Sequence, residues 1–413
     1  MRIGIIGAGI SGLSAAQLLR RTHEVMILER SSLVGGIAKV ATVDGVPYHT
    51  VGGHCLNSRK AEVMQFVYGL LPREEWHPVS RVAKIAFKGH SVDYPIEFSI
   101  RQIAQFDEGL AFRMTADLLG ATDRPAANLE EWFRVKFGDT LASEYFIPYN
   151  EKIWGAPPSE MSPSWVEGKL PMPSKEAVFK SLIAPQQDSM PHATFYYPSR
   201  PNALVEALAA GLDIRCDYPV SRLERVGRQW RVNGEELFDL VISTMPLNVL
   251  PTVIADTPPA VTEAASLLRY NKISNMLWET DEVEATWTYY PDPSTIFHRH
   301  IHIGNFTLPK TNHTITEALG DVPSEVMERE GRKMAYLRKP LAHHVSDHAY
   351  VVFDHNYRAS VRVIKDYLAG IGIHALGRFG EWEYYNMDIC IDSAMSLVAR
   401  LDGASDVGAR ALT

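Results

Sequence analysis

Two sets of residues at opposite ends of the chain have types and spacing suited to chemistry. Near the N-terminus stand Gly7-Ala8-Gly9-Ile10-Ser11-Gly12, then Glu29-Arg30, then Gly35-Gly36. Gly7 permits a tight turn, Gly9 lets a pyrophosphate approach the backbone, and Gly12 lets a helix pack closely on a strand. The N-terminus of the helix that follows offers free N–H groups and a partial positive charge to phosphates. Glu29 ends a second apolar strand, where a carboxylate accepts both ribose hydroxyls, with Arg30 beside it. The acid favours an unphosphorylated ribose, hence FAD or NAD rather than NADP. Near the C-terminus runs Gly377-Arg378-Phe379-Gly380-Glu381-Trp382-Glu383-Tyr384-Tyr385-Asn386-Met387-Asp388. It brings an arginine, several aromatics and an Asn-Met-Asp that opens a helix. Together the two sets read as a dinucleotide held from both ends of the chain.

The elements that must position these residues follow from periodicity. Residues 2–6 form an apolar strand, Leu13 to Arg20 a helix with Leu13, Ala16 and Leu19 on one face, and Glu24 to Leu28 a second strand. A Gly-rich turn in an ordinary βαβ unit is the bland alternative; the flanking strands, the helix and the acid weigh against it. Val43-Asp44-Gly45 marks a turn. Gly52-Gly53-His54 suggests backbone brought close to a flat ligand, although a turn with a surface histidine has the same composition. Helical patterns then dominate, as in Ile103 to Leu119 and Leu129 to Phe137, followed by Ile147-Pro148-Tyr149-Asn150-Glu151-Lys152-Ile153-Trp154-Gly155 and a Pro- and Ser-rich stretch to Ser174. Thr194 to Pro198 return to strand and Ala203 to Ala210 to helix. Ile214 to Phe238 alternate like a hairpin around Asn233-Gly234. Leu240 to Thr244 read as a buried parallel strand stopped by Pro246. Residues 273–305 look like sheet, and Ile389 to Leu401 like a last amphipathic helix.

The expected fold class is α/β: a Rossmann-type dinucleotide domain with an inserted helical domain and an antiparallel-sheet domain. The dinucleotide domain is discontinuous, over 1–98, 191–255 and 351–413. The helical insertion covers 99–190 and the antiparallel sheet 256–350.

Composition narrows the classes. A chain of 413 residues, 46% hydrophobic and 22% charged, has room for more than one core. A net charge of −8 argues against nucleic acid, though not against a small anion held by local arginines. Cys55, Cys216 and Cys390 are widely spaced and odd in number, which is neither a disulfide framework nor a zinc pattern. No apolar run is long enough to span a membrane, and the glycines inside the N-terminal apolar run argue against a signal peptide. A cytoplasmic location is the resulting expectation. His298, His300 and His302 alternate along one strand. A metal site is one reading of them; a solvated strand face is the favoured one, and no metal is expected.

With these motifs in order, the chain resembles the UDP-galactopyranose mutase family, within the amine-oxidase and protoporphyrinogen-oxidase-like FAD superfamily. The resemblance runs through Gly7–Gly12 with Glu29, Gly35-Gly36, Gly52-Gly53-His54, Tyr94-Pro95 and Pro148-Tyr149-Asn150. It continues through Lys152-Ile153-Trp154, Phe195–Pro198, Ser243-Thr244-Met245-Pro246 and Phe297-His298-Arg299 to Gly377–Asp388. It implies an isomerase that interconverts pyranose and furanose rings of a nucleotide-diphosphate sugar, with reduced FAD N5 as nucleophile at the anomeric carbon. NAD(P)H or another reductant would keep the flavin reduced. The resemblance implies cofactor contacts from Gly7, Gly9, Ile10, Ser11, Gly12, Glu29, Arg30, Gly36, Gly53, His54, Arg378, Asn386, Met387 and Asp388. It implies a catalytic set of His54, Arg299, Arg378, Tyr357 and Tyr384. Substrate contacts would come from Tyr149, Asn150, Trp154, Arg299, Tyr357 and Tyr384, with Arg299 as the bidentate diphosphate ligand.

The chain also departs from that pattern. Ile147 stands where eukaryotic members carry an arginine, so a second diphosphate cation must come from elsewhere; Lys152, Arg200 and Arg358 are candidates. Tyr357-Arg358 lacks the family's following proline, and Cys55-Leu56-Asn57 replace the usual residues after the histidine. The competing function is an FAD-dependent oxidase or desaturase of the amine-oxidase or protoporphyrinogen-oxidase type. Nucleobase, sugar, reductant and oligomeric state are left open by the sequence, a homodimer being one option.

Overall fold

A computed structural model describes residues 1–163, 166, 174–184 and 194–410, with side chains to 403. Much of the Pro- and Ser-rich stretch before Ser174, and the boundary placed at 190–191, lie outside the described residues.

The N-terminal unit folds as its spacing requires. Strand Arg2–Ile6 pairs in parallel with Glu24–Leu28 on one side and Leu240–Ser243 on the other. Ile373–Ala375 and Asp213–Arg215 complete a five-stranded parallel sheet. Ile3, Ile5, Val241 and Ile242 have no exposed surface, as expected for strands covered on both faces. Helix Ile10–Leu19 begins directly after its N-cap Gly9, three residues earlier than the apolar face suggests, and its first turn is Ile10, Ser11 and Gly12. It packs against the last helix, Met387–Arg410: Leu13 and Ala16 share a core with Ile391, Ala394 and Leu397. The first and last thirds of the chain are thereby welded together.

A second, seven-stranded sheet holds Leu337–Val351, Tyr270–Thr280, His313–Leu319, Phe297–Ile301, Trp287–Tyr289, Ala83–Phe87 and His90–Asp93, in that spatial order. The histidine-bearing strand is therefore central, and the expectation of a solvated face is wrong. His298, His300 and His302 are at most 2% exposed, because neighbouring strands flank Phe297–Ile301 on both sides and side chains cover both faces. Burial pushes all three imidazoles down, so they are neutral at pH 7. No group of three or more potential ligands that could hold a metal occurs among the described residues.

Two other readings need correction. The helix expected over Ile103 to Leu119 is two helices, Ile100–Ile103 and Glu108–Gly120. Asp107 breaks the run by capping the second, its side chain accepting from Leu110 N at 2.8 Å. The hairpin expected around Asn233-Gly234 is a three-stranded meander, Leu223–Val226, Gln229–Val232 and Glu236–Phe238, with its other turn at Gly227; Ile214 belongs to the parallel sheet. Helix Leu129–Phe137 has the bounds its pattern gives, capped by the Asn128 side chain. No described helix is long and apolar enough to cross a membrane.

Candidate active site

The N-terminal cradle leaves no room for a side chain at Gly7 or Gly12. A Cβ on Gly12 would lie 2.1 Å from the carbonyl oxygen of Gly7, and one on Gly7, at φ +98°, would lie 2.2 Å from Thr244 Oγ1. The Gly35-Gly36 turn lies on this cradle, with Gly35 N donating to Ala8 O at 2.7 Å and Gly36 facing Gly9. Glu29 is 6% exposed; its carboxylate accepts from Ala8 N at 2.7 Å and Ser31 N at 2.8 Å. Each oxygen retains a lone pair, which is what a ribose diol needs. Arg30 is exposed and lies on the side of Asp347 and His348.

The closing run comes back onto this cradle. Leu376 N donates to Ser243 O at 2.9 Å, and Gly377, at φ +82°, is pressed so close to Ser11 that a Cβ would lie 2.2 Å from its Oγ. The short helix Gly377–Gly380 ends in a Schellman turn, with Glu383 N donating to Arg378 O at 2.8 Å. Trp382 takes the left-handed position usually given to glycine, at φ +59°, and is wholly buried. Asn386, Met387 and Asp388 then open the last helix beside the first one.

Arg378 leaves this turn towards the second sheet. Its Nη1 donates to Tyr385 O at 3.0 Å and its Nη2 to Ala349 O at 2.8 Å, with the guanidinium 4.5 Å from the Tyr384 ring centre. Its Nε is buried without a protein partner, as is His54 Nε2. Burial chiefly, with Arg378 and Arg299 nearby, pushes the His54 imidazole down to about 4, so it is neutral at pH 7. His49 fixes this loop. The His54 N–H donates to His49 Nδ1 at 3.2 Å, which leaves His49 Nε2 to donate to the Tyr197 hydroxyl at 2.8 Å.

The second sheet supplies the rest through its register. Tyr289, Arg299, Glu317 and Asn275 stand directly opposite one another on four adjacent strands, so their side chains share a face. Asn275 ties that face to the 48–50 segment by donating to Thr50 O at 2.6 Å and His49 O at 3.2 Å. Arg299 Nε donates to Glu317 Oε2 at 2.7 Å, and its Nη2 donates to the same oxygen and to the Tyr350 hydroxyl at 3.0 Å. Glu317 Oε1 accepts from Gly52 N at 2.7 Å, and His298 Nε2 lies 3.6 Å from Oε2. Burial alone would raise the Glu317 carboxyl; Arg299, with His298 beside it, outweighs that and holds it far below the usual carboxylate range.

The bidentate fork expected for a diphosphate therefore faces Glu317, and Arg299 forms an internally neutral pair. Its Nη1 has no protein partner among the described residues. The tyrosine beside it is not Tyr357. That hydroxyl donates to Glu383 Oε1 at 2.5 Å, and its ring packs edge-on to Phe353. Tyr350 takes the place instead, stacked on Tyr384 at 5.8 Å with an interplanar angle of 7°. Sequence reasoning missed Tyr350 and Glu317 because neither lies in a motif; a lone acid in the strand Thr314-Ile315-Thr316-Glu317 was the available signal.

Helix Ile147–Trp154 brings Tyr149 edge-on to Tyr289 at 5.8 Å, and Trp154 edge-on to Tyr350 and Tyr384. Asn150 stands behind them: its Oδ1 accepts from Trp154 Nε1 at 3.0 Å and its Nδ2 donates to Phe146 O at 2.7 Å. Of the expected second cations, Lys152 donates to the carbonyls of Tyr290 and Asp292, Arg200 pairs with Glu206 at the surface, and Arg358 is exposed.

The glycine cradle, Glu29, the two converging helix N-termini and the unpartnered buried nitrogens of Arg378 and His54 fit a flavin dinucleotide. Comparison with known proteins agrees. Residues 10–289 match the family described as flavin containing amine oxidoreductase. A structure of reduced UDP-galactopyranose mutase superposes with a TM-score of 0.86 at 21% identity, over 98% of this chain and 96% of that one. A putative protoporphyrinogen oxidase from Exiguobacterium sp. 255-15 gives 0.75 at 18% identity, over 97% and 98%. A CLA-producing fatty acid isomerase from P. acnes gives 0.68 at 15% identity, over 97% and 98%. An uncharacterized protein of Methanocaldococcus jannaschii is 53% identical over 36 residues, which span 9% of each chain. The chain belongs to the flavin-containing amine oxidoreductase family; it is a flavoenzyme and its cofactor is FAD.

Proposed function

We propose that this flavoenzyme is a mutase interconverting the pyranose and furanose forms of a nucleotide-diphosphate sugar. The observation that carries the reading is a polar, arginine-bearing face near His54: Arg299, Arg378, Tyr350, Tyr384, Tyr149 and Tyr289. A wholly apolar ligand would leave Arg299 Nη1 and the buried Arg378 Nε without acceptors, at about 1–3 kcal/mol each. A diphosphate would use them. The likeness to a solved UDP-galactopyranose mutase supports the reading at the level of fold.

Reduced FAD would supply a nucleophile at the anomeric carbon, and NAD(P)H or another reductant would maintain it. The residues of the chain have other tasks. Arg299 Nη1 and the Tyr384 hydroxyl would hold the diphosphate while it is detached and keep it in place for return. Glu317 and Tyr350 would fix the Arg299 plane. Neutral His54 and cationic Arg378 would sit against the flavin, where Arg378 offsets the negative charge of its reduced form. The 99–190 segment would serve the substrate side, since it carries Tyr149 and Trp154.

The experiment is anaerobic. Protein reduced with dithionite is incubated with UDP-, GDP- and dTDP-hexopyranoses, and products are separated by chromatography and identified by NMR. Furanose product from reduced protein alone is the expected result. No furanose there, together with oxidised product and oxygen consumption in a parallel aerobic assay with amines and porphyrinogens, would replace the mutase with an oxidase.

A further inference from the structure

We propose that Arg81 is the second cation of the anionic subsite and binds the substrate's diphosphate beside Arg299. The proposal rests on the nucleotide-sugar reading and assigns a residue that no motif marks.

Charge balance makes a second cation necessary. Glu317 neutralises Arg299, so that arginine can orient a diphosphate but adds no net positive charge to the site. Arg378 makes no carboxylate contact among the described residues, but it leans towards the flavin cradle and donates both Nη groups to carbonyls. Lys152 and Arg200 are engaged elsewhere.

Arg81 has the properties that are missing. It lies between strands Trp76–Ser80 and Ala83–Phe87, and the next residue, Val82, is clamped to Thr286 through both its N–H and its carbonyl. Its guanidinium carbon is 4.9 Å from the ring centre of Tyr94 and 5.8 Å from those of Phe195 and Trp287. The rings hold the guanidinium plane, while the Tyr94 and Tyr289 hydroxyls use part of its donor set. Nη2 is 3.4 Å from the Tyr289 hydroxyl, and Nε is buried without a partner. No carboxylate lies within ion-pair distance among the described residues. Tyr289 is the cross-strand partner of Arg299 and touches Tyr149, so one tyrosine separates Arg81 from the pocket's other cation. A caged guanidinium with free donors and no counter-ion, at the rim of a site that needs positive charge, is built to take an anion.

The test uses FAD-loaded protein and calorimetric titration with UDP, GDP and dTDP, and with the matching nucleosides. Arg81→Met keeps the apolar stem in the cage. It should weaken the best nucleoside diphosphate by about ten- to a hundredfold, the range for a charge-assisted hydrogen bond. Nucleoside affinity, FAD content and melting temperature should stay near wild type. Arg81→Lys should recover part of the loss, and its affinity should fall more steeply with salt. Equal diphosphate affinities in wild type and Arg81→Met would show that Arg81 only fills the aromatic cage. If Arg81→Met fails to fold, Arg81→Gln serves in its place, and wild-type diphosphate affinity in that neutral variant would overturn the proposal equally. Wild-type protein that binds none of the three diphosphates would instead overturn the nucleotide-sugar reading, and this assignment with it.

Discussion

Glu317→Gln is the substitution whose effect follows most directly from the geometry. Three N–H donors converge on this carboxylate: Arg299 Nε and Gly52 N, each at 2.7 Å, and Arg299 Nη2. An amide keeps one oxygen and turns its NH₂ against a donor, either Gly52 or Arg299. It also leaves a buried guanidinium without its counter-charge. Breaking a buried pair from one side costs about 3–5 kcal/mol. The loss should be read from urea or guanidinium unfolding of the FAD-loaded protein at pH 7. The pH dependence has a definite sign. The folded carboxyl is held below its unfolded value, so its stabilisation is complete above the unfolded pKa of about 4.5 and declines as pH falls below it. Each pH unit below that point should shrink the gap between wild type and Glu317→Gln by about 1.4 kcal/mol. Buried histidines remote from Glu317 destabilise both proteins alike on acidification, so the difference reads Glu317 together with His298, the imidazole 3.6 Å away that the carboxylate raises. A gap under about 1 kcal/mol at pH 7, or one that does not narrow towards pH 3.5, would refute the pairing as drawn.

Other substitutions address the cradle and the closing run. Glu29→Ala should weaken FAD by about 1.5–3 kcal/mol, measured by cofactor release on dilution, since it removes a charge-assisted acceptor and frees the Ala8 and Ser31 N–H groups. Gly377→Ala should cost about 1–3 kcal/mol in backbone strain alone and more through the clash with Ser11; thermal unfolding and flavin content should both drop. Trp382→Gly should relieve about 1–2 kcal/mol of left-handed strain yet lose about 3–5 kcal/mol of buried indole, giving a net destabilisation in a melting experiment.

Local pattern carried the reading of the fold where function and structure share the same residues. The glycines, Glu29 and the apolar strands around them specify one supersecondary unit, and each residue's role is set within about thirty positions of sequence. Leu129–Phe137 was legible for the same reason, since its cap and its apolar face are contiguous. The substrate face was legible in part. Arg299, Arg378, Tyr384, Tyr149 and Trp154 are brought together, because they stand in motifs. Glu317, Tyr350 and Arg81 were not foreseen, because their meaning lies in cross-strand register. Glu317 meets Arg299 only because His313–Leu319 pairs with Phe297–Ile301 in one alignment, and a one-residue slip would turn it to the other face. The three histidines failed similarly: period-two spacing identifies a shared face but not whether that face meets water. Tyr357, which the resemblance put among the substrate tyrosines, has its hydroxyl engaged by Glu383, a contact that no local motif announces.

The central claim is that the reaction reshapes a sugar ring with no net transfer of electrons. The direct measurement counts them. Protein is reduced once with a limiting amount of dithionite, excess reductant is removed, and an excess of the nucleotide sugar that yields product is added without oxygen. Many moles of furanose per mole of enzyme, with the flavin spectrum still that of the reduced form at the end, is the predicted outcome. Product limited to one equivalent per reduced flavin, or reductant consumed in step with product, would contradict the mutase reading and return the chain to the oxidoreductases of its family.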